Sequence, residues 1–366
     1  MKIVVLAGGL SPERTVSLVT GASVCRALRE MGHQAVFMDI FLGFEAIKNI
    51  NNNILNNPDE LFHIPDGLCP AVGISEQEPD LNAIRASRKD QSACLFGPGV
   101  LDVCRRADLV FLALHGRDGE DGRVQAAFDL FGIPYTGSGY LASGIAMDKI
   151  QTKRVMFSVG IPTPDWKILE YNPHDERDIK YFTENLPMPC VIKNTIGGSS
   201  LGVFLPKDRI ELKQALIKAV EYGGEIFWEK RIEGRDITVG VLGDQALPAV
   251  EILPAEGEFD YSAKYQTGGA REICPAPITE QEQKEAGRLA LLLHKSIGLQ
   301  VYSRTDFKLD KDGKFWCLEI NSLPGLTPAS LVPKEAAAVG MDYNQLCGEI
   351  IRLSLPVQRR GEPCAI

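Results

Sequence analysis

The chain has 366 residues, enough for two or three domains at about 150 residues each. It carries 39 basic and 48 acidic residues, a net charge of −9, with 45% apolar and 24% charged residues. This is the balance of an ordinary globular protein with material for a buried core. It excludes disordered and collagen-like chains and argues against a nucleic-acid binder, which needs a basic stripe.

Residues 3–7 are a continuous apolar run, the pattern of a strand covered on both faces, and Gly8-Gly9 end it. Val16, Val19, Val24, Ala27, Leu28 and Met31 then recur at helical spacing as far as Gly32, and 34–40 reads as a second strand. A strand, helix, strand unit implies a parallel sheet with a right-handed crossover. Between 41 and 107 the periodicity weakens, and the asparagine-rich 49–59 reads as a surface loop. Residues 109–114 form another apolar strand that runs into His115-Gly116-Arg117-Asp118-Gly119-Glu120-Asp121-Gly122. Glycine-rich loops at the C-terminal ends of such strands are where open α/β sheets place ligands.

Thr136-Gly137-Ser138-Gly139 marks a first boundary, followed by a helical stretch to about 159 and a strand and turn at 161–164. Residues 189–203 read as strand, Gly/Ser loop and strand, 207–222 as an amphipathic helix, and 225–230 and 237–242 as strands. Residues 301–309 and 315–320 pair about a turn at 310–314, and from about 356 the chain reads as a loose tail. The whole is a mixed α/β chain. Its nine cysteines show no Cys-x-x-Cys spacing, which is the usage of reduced thiols in a cytoplasmic protein. The apolar start is too short for a signal sequence, and no run approaches the roughly 18 apolar residues of a membrane span.

Three segments could carry chemistry. Lys193 closes a strand before Thr195-Ile196-Gly197-Gly198-Ser199-Ser200, where successive backbone N–H groups can nest an anion and the lysine adds a cation for phosphate. A plain hairpin with a surface lysine would read the same. Phe227-Trp228-Glu229-Lys230-Arg231-Ile232 ends a strand in alternating charge, a weak signal for a base edge with a ribose carboxylate beyond it. The third is stronger. Arg304 and Asp306 share one strand face, as do Glu319 and Asn321 on the next strand. Asp306, Glu319 and Asn321 thus converge as hard oxygen donors suited to Mg²⁺, against the bland alternative of a charged hairpin in solvent.

The ordered set Gly8-Gly9-Leu10-Ser11-Pro12-Glu13-Arg14, Leu114-His115-Gly116 with Gly119-Glu120-Asp121-Gly122, and Met147-Asp148-Lys149 resembles the D-alanine–D-alanine ligase family. The Lys193 loop, Glu229-Lys230, Ala263-Lys264-Tyr265, Arg304-Thr305-Asp306 and Glu319-Ile320-Asn321-Ser322-Leu323-Pro324-Gly325 continue it collinearly, from residue 2 to about 354. The resemblance implies the ATP-grasp fold: a Rossmann-like parallel-sheet domain over 1–138, a central ATP-grasp domain over 139–234, and a C-terminal domain over 235–366 with the Mg²⁺ site and a substrate flap. It implies ATP-dependent joining of two D-alanines through an acyl phosphate and a tetrahedral intermediate, for peptidoglycan precursors, in a cytoplasmic homodimer.

Carried over residue by residue, the resemblance makes Glu13 the anchor of the first substrate's ammonium, in a set with Ser199 and Tyr265, and puts His115 beside that substrate. Arg304 and the Gly325 N–H face the developing oxyanion, and Lys264 and Ser330 hold the second substrate's carboxylate. Lys149 and Lys193 meet the phosphates, Glu229, Lys230 and Ile232 the adenine side, and Asp236 the ribose. Asp306, Glu319 and Asn321 hold two Mg²⁺ ions, with Mn²⁺ as a substitute. Two departures stand out: Asp236 is one methylene shorter than the family's usual glutamate, and Arg117-Asp118 put a charge pair where a neutral one is common. Ala263-Lys264-Tyr265 favours the dipeptide over D-alanyl-D-lactate or D-alanyl-D-serine. Intact Arg304, Asp306 and Glu319 speak against a silent nucleotide-binding relative, and the Glu13, Ser199 and Tyr265 combination against an ATP-grasp ligase of unrelated substrate.

Overall fold

The structure is a computed structural model that describes residues 1–47, 52–64, 69, 79–196, 202–254 and 269–359. The apolar runs of the first segment become β1 (Lys2–Ala7), β2 (Gln34–Asp39) and β3 (Leu109–Leu112), a parallel sheet in the order β2-β1-β3. Ile3 stands opposite both Ala35 and Leu109, so β1 is central and its residues 3–7 are fully buried, as a strand apolar on both faces must be. The helix Arg14–Glu30 makes the crossover.

Part of the asparagine-rich stretch departs from the loop expected of it. Asn52–Asn56 is helical and Pro58–His63 a 3₁₀ turn, because Ile54, Leu61 and Phe62 supply apolar anchors that bury against the first core. The thiols differ from expectation too: Cys25 on the crossover helix is bonded to Cys69, with Cα atoms 6.3 Å apart. A separation of 44 residues gives no local sign of that approach. Among the described residues Cys94, Cys104, Cys190, Cys274, Cys317 and Cys347 are free.

The middle of the chain forms an antiparallel sheet from β4 (Trp166–Leu169), β5 (Cys190–Asn194), β6 (Val203–Phe204) and β7 (Ile226–Lys230), ordered β4-β7-β5-β6. No strand forms at 161–164, where Pro162 and Pro164 lack ladder donors; β4 starts just beyond. The helices Glu176–Asn185 and Arg209–Ala219 bury Ile179, Leu212 and Leu216 in this sheet's own core.

The last sheet contains β8 (Arg235–Leu242), β9 (Gln245–Ala246), β10 (Val250–Pro254), β11 (Ala270–Ile273), β12 (Tyr302–Leu309) and β13 (Phe315–Asn321). Its order is β11-β10-β8-β12-β13, with β9 on β8. The helix Glu280–Ile297, opened by a Thr279–Glu282 capping box, covers one face. Of the tail expected from residue 356, residues 356–359 are instead the end of a helix, Tyr343–Arg359, that runs through Pro356, and 360–366 lie outside the described residues. Leu346, Cys347 and Ile350 bury in the core of the N-terminal sheet, and Leu353 and Val357 pack at its edge, which holds the helix together past the proline.

Candidate active site between two antiparallel sheets

The two antiparallel sheets leave an open cleft of about 1110 Å³ between them. Lys149, Lys193, Lys230, Ile232, Asp236, Asp306 and Glu319, which lie far apart in sequence, all line it. Asp148 caps the helix Lys149–Ser158 by accepting from the N–H groups of Ile150 and Gln151 at 2.9 and 3.0 Å. That cap sets Lys149 at the first helical position, where its N–H donates to Thr195 O at 3.0 Å and its ammonium stands 3.5 Å from Glu319 Oε2. Lys193 ends β5 with its ammonium bonded to Glu229 Oε1. The Glu229 side chain is only 1% exposed, yet the residue is part of the cleft wall. Burial acts to raise its pKa, but Lys153 and Lys193 beside it hold it below the usual carboxylate range. Asp236 and Lys308 face each other across β8 and β12 at 2.8 Å.

The β12–β13 hairpin delivers the oxygen donors. Asp306 pairs in register with Glu319 and Arg304 with Asn321, so the four side chains crowd one face. Arg304 grips Asp306 with two bonds, Nε to Oδ1 at 2.9 Å and Nη2 to Oδ2 at 2.8 Å. Thr238 Oγ1 and Asn321 Nδ2 also donate to Asp306, at 2.5 and 3.3 Å. Burial acts against the Arg304 charge, yet Asp306, with Glu319 and Glu335, raises its pKa further. Among the described residues no group of three or more His, Cys, Asp or Glu is arranged for a metal. The set here is two carboxylates and an amide, hard oxygen donors of the type Mg²⁺ takes while keeping waters and phosphate oxygens.

Glu13 is the N-cap of Arg14–Glu30, but its carboxylate does not cap the helix. It lies against Gly116, whose φ is +73° and where a Cβ would fall 2.8 Å from Glu13 Oε2. Gly116 is thus required both for its backbone angle and for the close approach. Ser11 Oγ donates to His115 O at 2.8 Å, and His115 Nε2 lies 3.1 Å from Thr20 Oγ1. His115 is buried, which lowers its pKa although Glu13 opposes the effect.

Three residues without an assigned role in the sequence join the site. Glu120 accepts from the Gly116 N–H at 2.7 Å; burial first, and then the Glu13 charge, push its carboxyl well above the ordinary range. Glu335, fully buried, accepts from the Gly240 N–H at 2.9 Å and lies beneath Arg304. Lys153 is fully buried against Glu229. Glu120 sits in the glycine-rich loop the sequence marks as a ligand site, and Lys153 stands one helical turn after Lys149. A Cβ on Gly325 would come 3.0 Å from Ser330 Oγ, so these two residues are neighbours. Ser330 Oγ is itself held by the Thr327 N–H at 3.0 Å. Ser199, Lys264 and Tyr265 lie outside the described residues.

The family description "D-ala D-ala ligase N-terminus" matches residues 2–138, and "D-ala D-ala ligase C-terminus" matches 155–352. The chain belongs to the D-alanine–D-alanine ligase family. A relative named D-alanine–D-alanine ligase from Pediococcus pentosaceus is 40% identical over 357 residues, covering 96% of this chain and 97% of its own. One from Lacticaseibacillus casei is 38% identical over 364 residues, with coverages of 99% and 98%. The crystal structure of the Bacillus anthracis ligase complexed with ATP superposes with a TM-score of 0.70 at 29% identity, over 99% of this chain and 100% of that one. The fold is the mixed α/β ATP-grasp architecture of this ligase family, with the parallel sheet in front of the two antiparallel ones.

Proposed function

We propose that this family member joins two D-alanines into D-alanyl-D-alanine with conversion of ATP to ADP and phosphate. The observation that carries the reading is one cleft in which phosphate-type cations (Lys149, Lys193) and the hard oxygen set (Asp306, Glu319, Asn321) meet. His115 lies close enough to Arg304, and Glu120 to Arg304 and Glu319, for their charges to interact, and Glu13 acts on both His115 and Glu120.

In this reading Lys149 and Lys193 bind the β- and γ-phosphates, Lys230 and Ile232 flank the base, and Asp236 takes the ribose. The division at 138 and 234 belongs to the same proposal, with the nucleotide held between the second and third units. Glu13 anchors the ammonium of the first D-alanine so that its carboxylate faces the γ-phosphorus, turning an encounter into a positioned attack. Asp306, Glu319 and Asn321 would hold Mg²⁺, which when bound would supply positive charge to neutralise the transferred phosphoryl group. Arg304, fixed by the two hydrogen bonds it donates to Asp306, and the Gly325 N–H stabilise the oxyanion formed when the second amine attacks the acyl phosphate. Ser330 with Lys264 holds the second carboxylate, and Ser199 with Tyr265 ties the loop and flap to Glu13, excluding water from the acyl phosphate. His115, buried and held neutral, supports the first-substrate pocket through Ser11 and Thr20.

The proposed protein is a cytoplasmic homodimer serving peptidoglycan synthesis. Among the described residues no helix is long and apolar enough to cross a membrane. The test is MgATP-dependent phosphate release with D-alanine alone, then with D-lactate or D-serine added, the products being identified by mass. Release with D-alanine alone and formation of the dipeptide is the expected result. Release that requires a different acceptor, or ATP binding without release, overturns it.

A further inference from the structure

Lys153 is a lysine with no access to solvent, and it has no route to a nucleotide: its side chain is 0% exposed, whereas Lys193 lines the cleft. An ammonium so placed is retained only where its charge is matched. Lys153 Nζ lies 2.5 Å from Glu229 Oε2 and donates to Thr163 Oγ1 at 2.7 Å. The other oxygen of the same carboxylate, Oε1, takes the Lys193 ammonium. One carboxylate is thus shared by two ammonium groups, one sealed in the interior and one at the wall of the cleft. Without Lys153 the remaining pair, Lys193 and Glu229, would carry no net charge, and the field that Lys193 presents to the cleft would be cancelled by its own partner. With Lys153 the trio keeps one positive charge, and of its two ammonium groups only Lys193 borders the cleft.

We propose that Lys153 is a positioning residue for the phosphate chain: it neutralises Glu229 and pins its inner oxygen, Oε2, so that Lys193 is both aimed and left cationic toward the phosphates. The proposal rests on the reading that Lys193 meets the phosphates of ATP. Lys153 touches no substrate and acts only through Glu229. A purely structural lysine would predict that any loss of the buried pair weakens all ligands alike. A charge-setting lysine predicts that net charge governs phosphate binding.

The experiment compares the full-length wild type with K153M, E229Q and K153M/E229Q, measuring dissociation constants for MgATP and for adenosine, with thermal melts on each. Expected for K153M is a loss of MgATP affinity on the order of tenfold or more, from a charge removed in a poorly screened site, with adenosine affinity unchanged. Expected for K153M/E229Q, where Lys193 again stands with one net positive charge, is recovery of MgATP affinity to within about threefold of the wild type once each is taken relative to the same variant's adenosine affinity, because Glu229 itself borders the cleft. If K153M is too unstable to assay, the double variant alone decides, because its recovery is the prediction. MgATP affinity equally poor in K153M and the double variant, or a parallel loss of adenosine in K153M, overturns the role of Lys153. Failure of the wild type to bind MgATP overturns the functional reading instead.

Discussion

His294 should make the protein lose stability in mildly acidic solution. It lies in the last turn of Glu280–Ile297, 3% exposed, with Nδ1 2.7 Å from Ser303 Oγ. Ser303 immediately precedes Arg304, so the pair fixes the strand that carries the guanidinium. Burial, opposed weakly by Asp244, lowers the His294 pKa from 6.5 to about 4. The folded protein therefore requires the neutral ring, while the unfolded chain takes up a proton below pH 6.5. Stability from this group is complete above pH 6.5 and is lost as the pH falls toward 4. At about 1.4 kcal/mol per pH unit, the loss is about 1.4 kcal/mol at pH 5.5 and at most roughly 3 kcal/mol near pH 4. Urea titrations followed by circular dichroism from pH 7.5 to 4.5, for the wild type and His294→Gln, read it directly. At pH 7.5 the variant should be less stable by roughly 1 kcal/mol or more, for the altered bond to Ser303 and its packing. The gap should close as the pH falls, because only the wild type pays for a buried imidazolium. His115 and the carboxylates titrate in both proteins and cancel in the comparison. Two curves that stay parallel across the window would refute the assignment.

Glu319→Ala should abolish ATP-dependent phosphate release with an unchanged circular dichroism spectrum; full turnover would remove Glu319 from the metal set. Gly116→Ala places a Cβ 2.8 Å from Glu13 Oε2 at a φ of +73°. Displacing that carboxylate should lower kcat/KM for D-alanine on the order of a hundredfold while leaving KM for ATP unchanged. Equal damage to both substrates would show that the loop does not belong to the amino-acid site. Gly240→Ala drives a Cβ to 2.2 Å from Glu335 Oε2 and should destabilise by about 2 kcal/mol. In the double variant with Glu335→Ala the two costs should be less than additive, and strict additivity in denaturation would place the clash elsewhere.

The sequence by itself determined what depends on short-range spacing. A run of five apolar residues buried on both faces gives β1 whatever covers it, and glycine at 116 can be read as a turn that needs its backbone freedom. The period of two put Arg304 with Asp306, and Glu319 with Asn321, on common faces of a hairpin, and the register of β12 on β13 keeps them together. The order of such motifs was enough to indicate the family. Periodicity says which side of an element is covered but not by which distant element, and that is where tertiary structure decided. Glu229 reads as a strand-end charge available to a nucleotide; only the tertiary structure buries its carboxylate between Lys153 and Lys193 in the cleft wall. Glu335 reads as an exposed helix charge until β8 is laid beneath it, and Cys25 reads as a lone core thiol until Cys69 is brought beside it. Pro356 reads as the start of a tail, yet Leu353 and Val357 on either side of it pack against the N-terminal core and hold the helix to Arg359. In each case the deciding energy is burial or charge pairing between elements remote in the chain, which local propensity does not encode.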